Sequence, residues 1–246
     1  MKIESVEGII LTETNYSESS KILNVLTKEH GLIGVMSKGC RNMKSKLRGV
    51  SRKLLYGTLH IYYKENGLST LIGIDVKNSF SKIMTDLEKI SYASYLLDLT
   101  HQIIKQNEEE EILELLIQTL VKIEEGLNPQ VLTNILELKY LNFLGVSPSI
   151  DFCTHCGSDK QIVTLSSFEG GYICKNCYQN EPLVSEKTIK MIRMYYYVDI
   201  QNITKLEVSK QVSSEINHFL EDYYDRFTGI YMKSKDFQKK IHQMTQ

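Results

Sequence analysis

Through the first 80 residues the apolar positions fall in short runs rich in β-branched and aliphatic side chains, VEGIILTE, SKILNVLT and GLIGVMSK, separated by turn-forming residues. These runs predict strands. The segment KEHG between the second and third predicts a hairpin loop, and no proline interrupts the region. A further hairpin is predicted where GTLHIYYKE meets LSTLIGIDVK across Asn66 and Gly67, because a two-residue type I′ turn needs positive φ at both central positions. That turn makes Tyr63 face Thr70, Ile61 face Ile72 and Leu59 face Ile74, apolar side against apolar side. Five strands, with a long polar stretch between the third and fourth, fit a small barrel of the oligonucleotide-binding kind, the OB-fold. An SH3-like barrel also holds five strands, and pattern alone does not separate the two.

From residue 81 the period changes to about 3.6. Ile83, Leu87, Ile90, Ser94, Leu97, His101 and Ile104 predict one face of a helix, with His101 an ordinary, partly buried histidine. A second helix is expected after the acidic run EEEE, with Ile112, Leu116, Leu120, Ile123 and Leu127 in line and the acids near its positive N-terminal end. Asn128 and Pro129 read as N-cap and first residue of a third helix, NPQVLTNILELKYLNFLG, stopped by Gly145 and Pro148. Ser185 is a candidate cap for another, and Val212, Ile216, Phe219, Tyr223 and Phe227 mark a last one. The fold class expected is therefore α+β: an N-terminal five-stranded OB-fold barrel (1–80), then a helical domain (81–246) carrying a small metal-binding module at about 150–180. The basic end, KSKDFQKKIHQMTQ, reads as a frayed tail or a weak additional nucleic-acid contact.

Charge divides the same way. The formal net charge is -1, yet residues 1–80 hold twelve Lys and Arg against seven Asp and Glu, and the remainder seventeen against twenty-three. Most of the N-terminal excess lies in KGCRNMKSKLRGVSRK, where Lys38, Arg41, Lys44, Lys46, Arg48, Arg52 and Lys53 share sixteen positions with no acid. Cations at this spacing, separated by Ser, Gly and Asn, suit successive phosphates without reading base identity. A solvated loop is the plainer reading. Tyr16, Tyr56, Tyr62 and Tyr63 are candidate platforms for stacking bases. No stretch approaches the roughly 18–20 apolar residues of a membrane helix, and the start has no basic region leading into a long apolar core. A cytoplasmic protein without membrane partners is expected.

The cysteines carry the most specific pattern. Cys153 and Cys156, then Cys174 and Cys177, form two CxxC turns with seventeen residues between the pairs, long enough for a short hairpin. Four thiolates favour one Zn2+ ion in a closed and therefore structural site, with a single iron or a vestigial, metal-free site as the alternatives. His155 could substitute for a ligand only if one cysteine did not serve. Cys40, inside the basic stretch, is either a thiol activated by neighbouring cations or simply a small side chain. No Walker sequence, HExxH, GxSxG or Gly-rich dinucleotide loop is present, so no catalytic residues are assigned.

NYSESSKILNVLTKEHGLIGVMSKGCRNMKSKLRG, YGTLHIYYKENGLSTL and the paired CxxC motifs within a helical region together resemble the bacterial RecO family of recombinational DNA repair proteins. The resemblance implies a non-enzymatic protein that binds single- and double-stranded DNA, anneals complementary strands, and with RecR helps load RecA onto DNA coated by single-strand-binding protein, with RecF a further candidate partner. It implies nucleoid association during repair, Cys153, Cys156, Cys174 and Cys177 as zinc ligands, and the seven basic residues on the DNA-contacting face. Two departures are visible: Met43 stands where a proline is frequent, predicting a more mobile loop, and Ser17 stands where a glycine is expected after the tyrosine. Two other readings remain open, an adaptor whose acidic helical half binds a basic protein while the barrel is incidental, and an RNA-processing enzyme with an appended zinc module.

Overall fold

The computed structural model describes residues 2–107, 109–230, 234–235 and 241, so most of the basic C-terminal segment lies outside the described residues, as does Glu108 of the acidic run. Five strands come first: β1 (Lys2–Tyr16), β2 (Ser20–Thr27), β3 (Gly31–Ser37), β4 (Tyr56–Tyr63) and β5 (Ser69–Asn78). They close into a barrel of order β1-β2-β3-β5-β4, with β4 returning to pair antiparallel with β1 and β3 meeting β5 in parallel. Alternation places Val6, Ile10, Leu23, Val25, Val35, Leu59, Ile61 and Leu71 inside. Gly8 and Gly57 face each other across β1 and β4, and a Cβ on Gly57 would lie 2.3 Å from the Asp75 carbonyl oxygen. Only glycine allows that approach.

The β4–β5 hairpin departs from expectation. Near its tip Tyr62 faces Thr70 and Ile61 faces Leu71, while Leu59 does face Ile74; the register shifts between His60 and Ile61. The connection spans residues 64–68, and Gly67 (φ 121°) has positive φ while Asn66 does not, so the turn is not type I′. Burial explains the shift. A bulge lets both Leu71 and Ile74 turn toward the core although they are three residues apart, leaving Ile72 43% exposed.

The helix expected from residue 81 is two. α1 (Ser81–Met84) ends at Thr85, and Asp86 caps α2 (Leu87–Ile103), its carboxylate accepting from the Glu88 and Lys89 N–H groups. Leu87 is 57% exposed, whereas Tyr92, Tyr95, Leu96, Leu99 and Ile103, off the expected stripe, are buried. α2 is covered on most sides, so a single apolar stripe misreads it. α3 (Glu111–Glu125) buries Ile112, Leu116, Leu120 and Ile123 as expected. Its Glu124 carboxylate accepts from the Lys82 and Ile83 N–H groups at the start of α1.

α4 (Pro129–Phe143) begins as predicted, with Asn128 Oδ1 accepting from the Val131 N–H, and stops before Gly145. Then come β6 (Ser149–Cys153), β7 (Ile162–Ser166) and β8 (Gly171–Cys174), a small sheet of order β6-β8-β7, so the second half is not wholly helical. α5 (Glu186–Tyr197), capped by Ser185, a short 3-10 turn (Ile200–Asn202) and α6 (Lys210–Phe227), capped by Ser209, complete it. The described residues form two compact units: one contains the barrel with α1 to α3 up to Glu124 and residues 234–235 and 241, and the other begins at Glu125.

Candidate nucleic-acid interface and metal centre

The basic stretch joins β3 to β4 and is tied to the barrel from within. Two of its apolar residues, Leu47 and Val50, pack against the barrel core. Overlapping turns link Ser45 to Asn42, Arg48 to Ser45 and Ser51 to Leu47. At its base the buried Ser37 and Ser51 hydroxyls meet at 2.7 Å, and at its exit Leu54 donates to the Ile10 carbonyl while Ile10 donates to that of Leu55. These contacts hold the ends and middle of the loop, while Met43 itself is 86% exposed. Spaced three apart in a run of cations, Leu47 and Val50 were the sequence signal for an anchored loop. Cys40 is 2% exposed and sits at the base of the loop, which fits a packed small side chain.

Charge is left on the outside. Lys38, Arg41, Lys44, Lys46, Arg48 and Lys53 are exposed and Arg52 is half-buried. None of the seven is in an ion pair among the described residues, whereas Lys2, Lys21 and Lys77 of the same barrel pair with Glu4, Glu13 and Glu7. The seven are not equivalent. Arg52 donates to the Ser79 carbonyl at 3.0 Å, and Lys53 Nζ lies 3.2 Å from Ser94 Oγ. Lys38, Lys44, Lys46 and Arg48 have no side-chain hydrogen bond among the described residues, and Arg41 has one, a long bond of 3.3 Å to the Ser17 carbonyl.

The tyrosines divide as well. The Tyr56 hydroxyl donates to Glu7, which, with burial as the larger cause, pushes that phenol well above its usual range. Tyr63 stacks on His30 at 4.0 Å, and His30 in turn meets Glu4 at 2.8 Å. Tyr16 and Tyr62 remain half-exposed, at 49% and 41%. His101 is half-buried, and burial, aided by Lys105, lowers its pKa and favours the neutral ring.

The four cysteines converge. Cys153 ends β6, Cys174 ends β8, and all four Sγ atoms lie within 4.8 Å of one another. Tetrahedral Zn–S bonds of about 2.3 Å set sulfurs about 3.8 Å apart, so the cluster needs little contraction to hold one ion. Burial opposes ionisation of Cys153, but N–H groups of Cys174, Cys156 and His155 directed at its sulfur outweigh that and bring the thiol down to about 6. Cys177 is pushed up to about 12, first by Cys156, then by burial and the other two sulfurs. One thiolate is therefore welcome and further ones need a cation among them. His155 pairs with Glu169 at 2.8 Å and is not among the converging groups.

Hydrogen bonds dock this module on α5. The Tyr172 hydroxyl donates to the Ile189 carbonyl, Arg193 meets Asp151 at 2.8 Å, and the Tyr197 hydroxyl donates to the same carboxylate.

A closed barrel carrying an anchored basic loop with no ion pair among the described residues, followed by helices and a small sheet whose four-cysteine cluster could hold a metal ion, defines a barrel-and-helix protein with a candidate metal site. Comparison with known sequences narrows the class. Residues 1–80 match the family model "Recombination protein O N terminal" and residues 84–236 match "Recombination protein O C terminal". The chain is 35% identical over 242 residues to the DNA repair protein RecO of Bacillus pumilus, 33% to that of Halalkalibacterium halodurans and 31% to that of Bacillus subtilis, each match covering 97% of this chain and 94–95% of the relative. The chain belongs to the RecO family. Among the described residues no helix is long and apolar enough to cross a membrane.

Proposed function

We propose that this protein acts in recombinational DNA repair as a non-enzymatic mediator that binds single- and double-stranded DNA and anneals complementary strands. The observation that carries the reading is the basic loop, in which at least five exposed cations without acidic partners are held on a closed barrel. Insertion of β5 between β3 and β4 is the strand order expected of an OB-fold and differs from a simple meander, which supports nucleic-acid binding by analogy of fold. The domain boundary proposed is 80/81, in keeping with the two family models.

The mechanism is electrostatic. Lys38, Arg41, Lys44, Lys46 and Arg48, with Arg52 and Lys53 at the margin, neutralise phosphates and release counterions, which lowers repulsion between two strands and raises their local concentration. Base pairing then proceeds without a bond being made or broken by the protein. Cys153, Cys156, Cys174 and Cys177 would hold one structural Zn2+, whose binding would supply folding free energy to this small module. The proposed partners follow the family: RecR, single-strand-binding protein, RecA and RecF, in the cytoplasm and at the nucleoid during repair.

The test is annealing of two complementary labelled oligonucleotides, followed by energy transfer. The protein should accelerate it, and reversing Lys44, Lys46 and Arg48 to Glu should abolish the acceleration while leaving the melting temperature in place. No binding of DNA even at low salt, together with stable capture of a protein partner, would replace this reading with the adaptor.

A further inference from the structure

We propose that Tyr16 is a base-stacking platform that gives the basic loop its preference for single strands, an inference that rests on the nucleic-acid reading above and assigns it a residue. Phosphate contacts alone do not distinguish an unpaired strand from a duplex, since both present the same charged groups. A flat, exposed aromatic ring beside those contacts does, because only unpaired bases offer a free face.

Three observations place Tyr16 there. It ends β1 opposite Ser20 of β2, is half-exposed, and its hydroxyl has no hydrogen bond among the described residues, unlike that of Tyr56. The turn that follows is stitched to the basic loop: the Arg41 N–H donates to the Ser19 carbonyl at 2.8 Å, the Gly39 N–H to Ser20 Oγ at 3.2 Å, and Arg41 Nη1 to the Ser17 carbonyl at 3.3 Å. Lys38 directly follows Ser37, which faces Lys21 in β2, so Tyr16 and Lys38 stand about two strand spacings, roughly 10 Å, apart. A nucleotide whose phosphate meets Lys38 or Arg41 has its base within reach of the ring.

Local chemistry separates the two roles. Glu18, exposed in the same turn, repels a phosphate on the Tyr16 side and leaves it to a neutral base, while Lys38 and Arg41 draw the backbone to theirs. The other tyrosines of the barrel are less suited. Tyr56 is bonded to Glu7 with Lys77 over its ring, and Tyr63 is already stacked on His30. Tyr62 is exposed, but no hydrogen bond ties its strand to the basic loop among the described residues.

Fluorescence anisotropy of the full chain with three probes of equal length tests this: a single strand of thymidines, the same backbone carrying abasic sites, and a duplex. Tyr16→Ala should weaken the thymidine strand about tenfold. It should leave the salt dependence of that binding unchanged and shift the abasic strand and duplex less than twofold, and Tyr16→Phe should bind all three like the parent. Unchanged thymidine affinity in Tyr16→Ala, or equal losses on all three probes, would overturn the stacking role, the second outcome marking a turn that merely shapes the loop. Failure of the parent to bind any probe would instead remove the nucleic-acid reading itself, and the stacking role with it.

Discussion

Neutralising Lys44, Lys46 and Arg48 together should flatten the salt dependence of DNA binding by an amount that can be worked out in advance. Each phosphate contact on a single strand contributes about -0.7 to the slope of log affinity against log salt. Counting charges along the sequence alone makes seven contacts and a slope of about -5. The structure removes two of them, because Arg52 is bonded to the Ser79 carbonyl and Lys53 to Ser94. Five contacts give about -3.5, so affinity should fall about a hundredfold between 50 and 200 mM salt. In the triple Gln variant two contacts remain, the slope is about -1.4, and the same salt step costs only about sevenfold. All three side chains are exposed and unpaired among the described residues, so the melting temperature should hold. Anisotropy titrations of a labelled oligonucleotide at four salt concentrations measure both slopes. A slope that stays near -3.5 in the variant refutes the assignment of this surface, and a parent slope near -5 that flattens on replacing Arg52 and Lys53 refutes the division drawn here between free and engaged cations.

Three further outcomes are expected. Cys174→Ser should abolish stoichiometric zinc in the purified protein and destabilise the second unit by at least about 3 kcal/mol, read by metal analysis and thermal melting, because a module this small depends on its metal; single-strand affinity should change less than threefold, since among the described residues the hydrogen bonds of the basic loop are made within the N-terminal half. Ser17 adopts φ 55°, a conformation costly for any residue with a Cβ, so Ser17→Gly should raise stability by about 0.5 kcal/mol in a denaturant titration. The Asp151 carboxyl is held below its usual range by hydrogen bonds from Tyr197 and then Arg193, and that of Glu215 is lowered, against the opposing effect of burial, by bonds from Thr188 and the Ser185 N–H. Both groups bind fewer protons folded than unfolded, so their stabilisation is full above the ordinary carboxylate range and is lost as pH falls through their lowered values. The melting temperature should therefore drop below about pH 4.5, and less steeply in Asp151→Asn, as a pH series of melts will show.

Three of the helix starts, the five barrel strands and the convergence of the four cysteines were legible in the residues, because each rests on local chemistry, whereas the β6-β8-β7 sheet was not. A cap such as Asn128 or Ser185 bonds an N–H three residues on, alternation in SKILNVLT needs only the pleat, and a CxxC turn brings its own thiols together. Even the αL turn at Ser17 was signalled by the glycine expected there. The register at the tip of the β4–β5 hairpin was not legible, since it depends on how Leu71 and Ile74 fill a barrel made by other strands. Nor was the stripe on α2, which disappears when a helix is covered on most sides. For the candidate interface the same line holds: the sequence by itself determined that seven cations crowd one stretch and that four thiols are paired by spacing. Tertiary structure decided which of those cations have no partner among the described residues, which tyrosines are engaged by Glu7 and His30, and that Leu47 and Val50 anchor the loop, because each of these depends on contacts with residues distant in the chain.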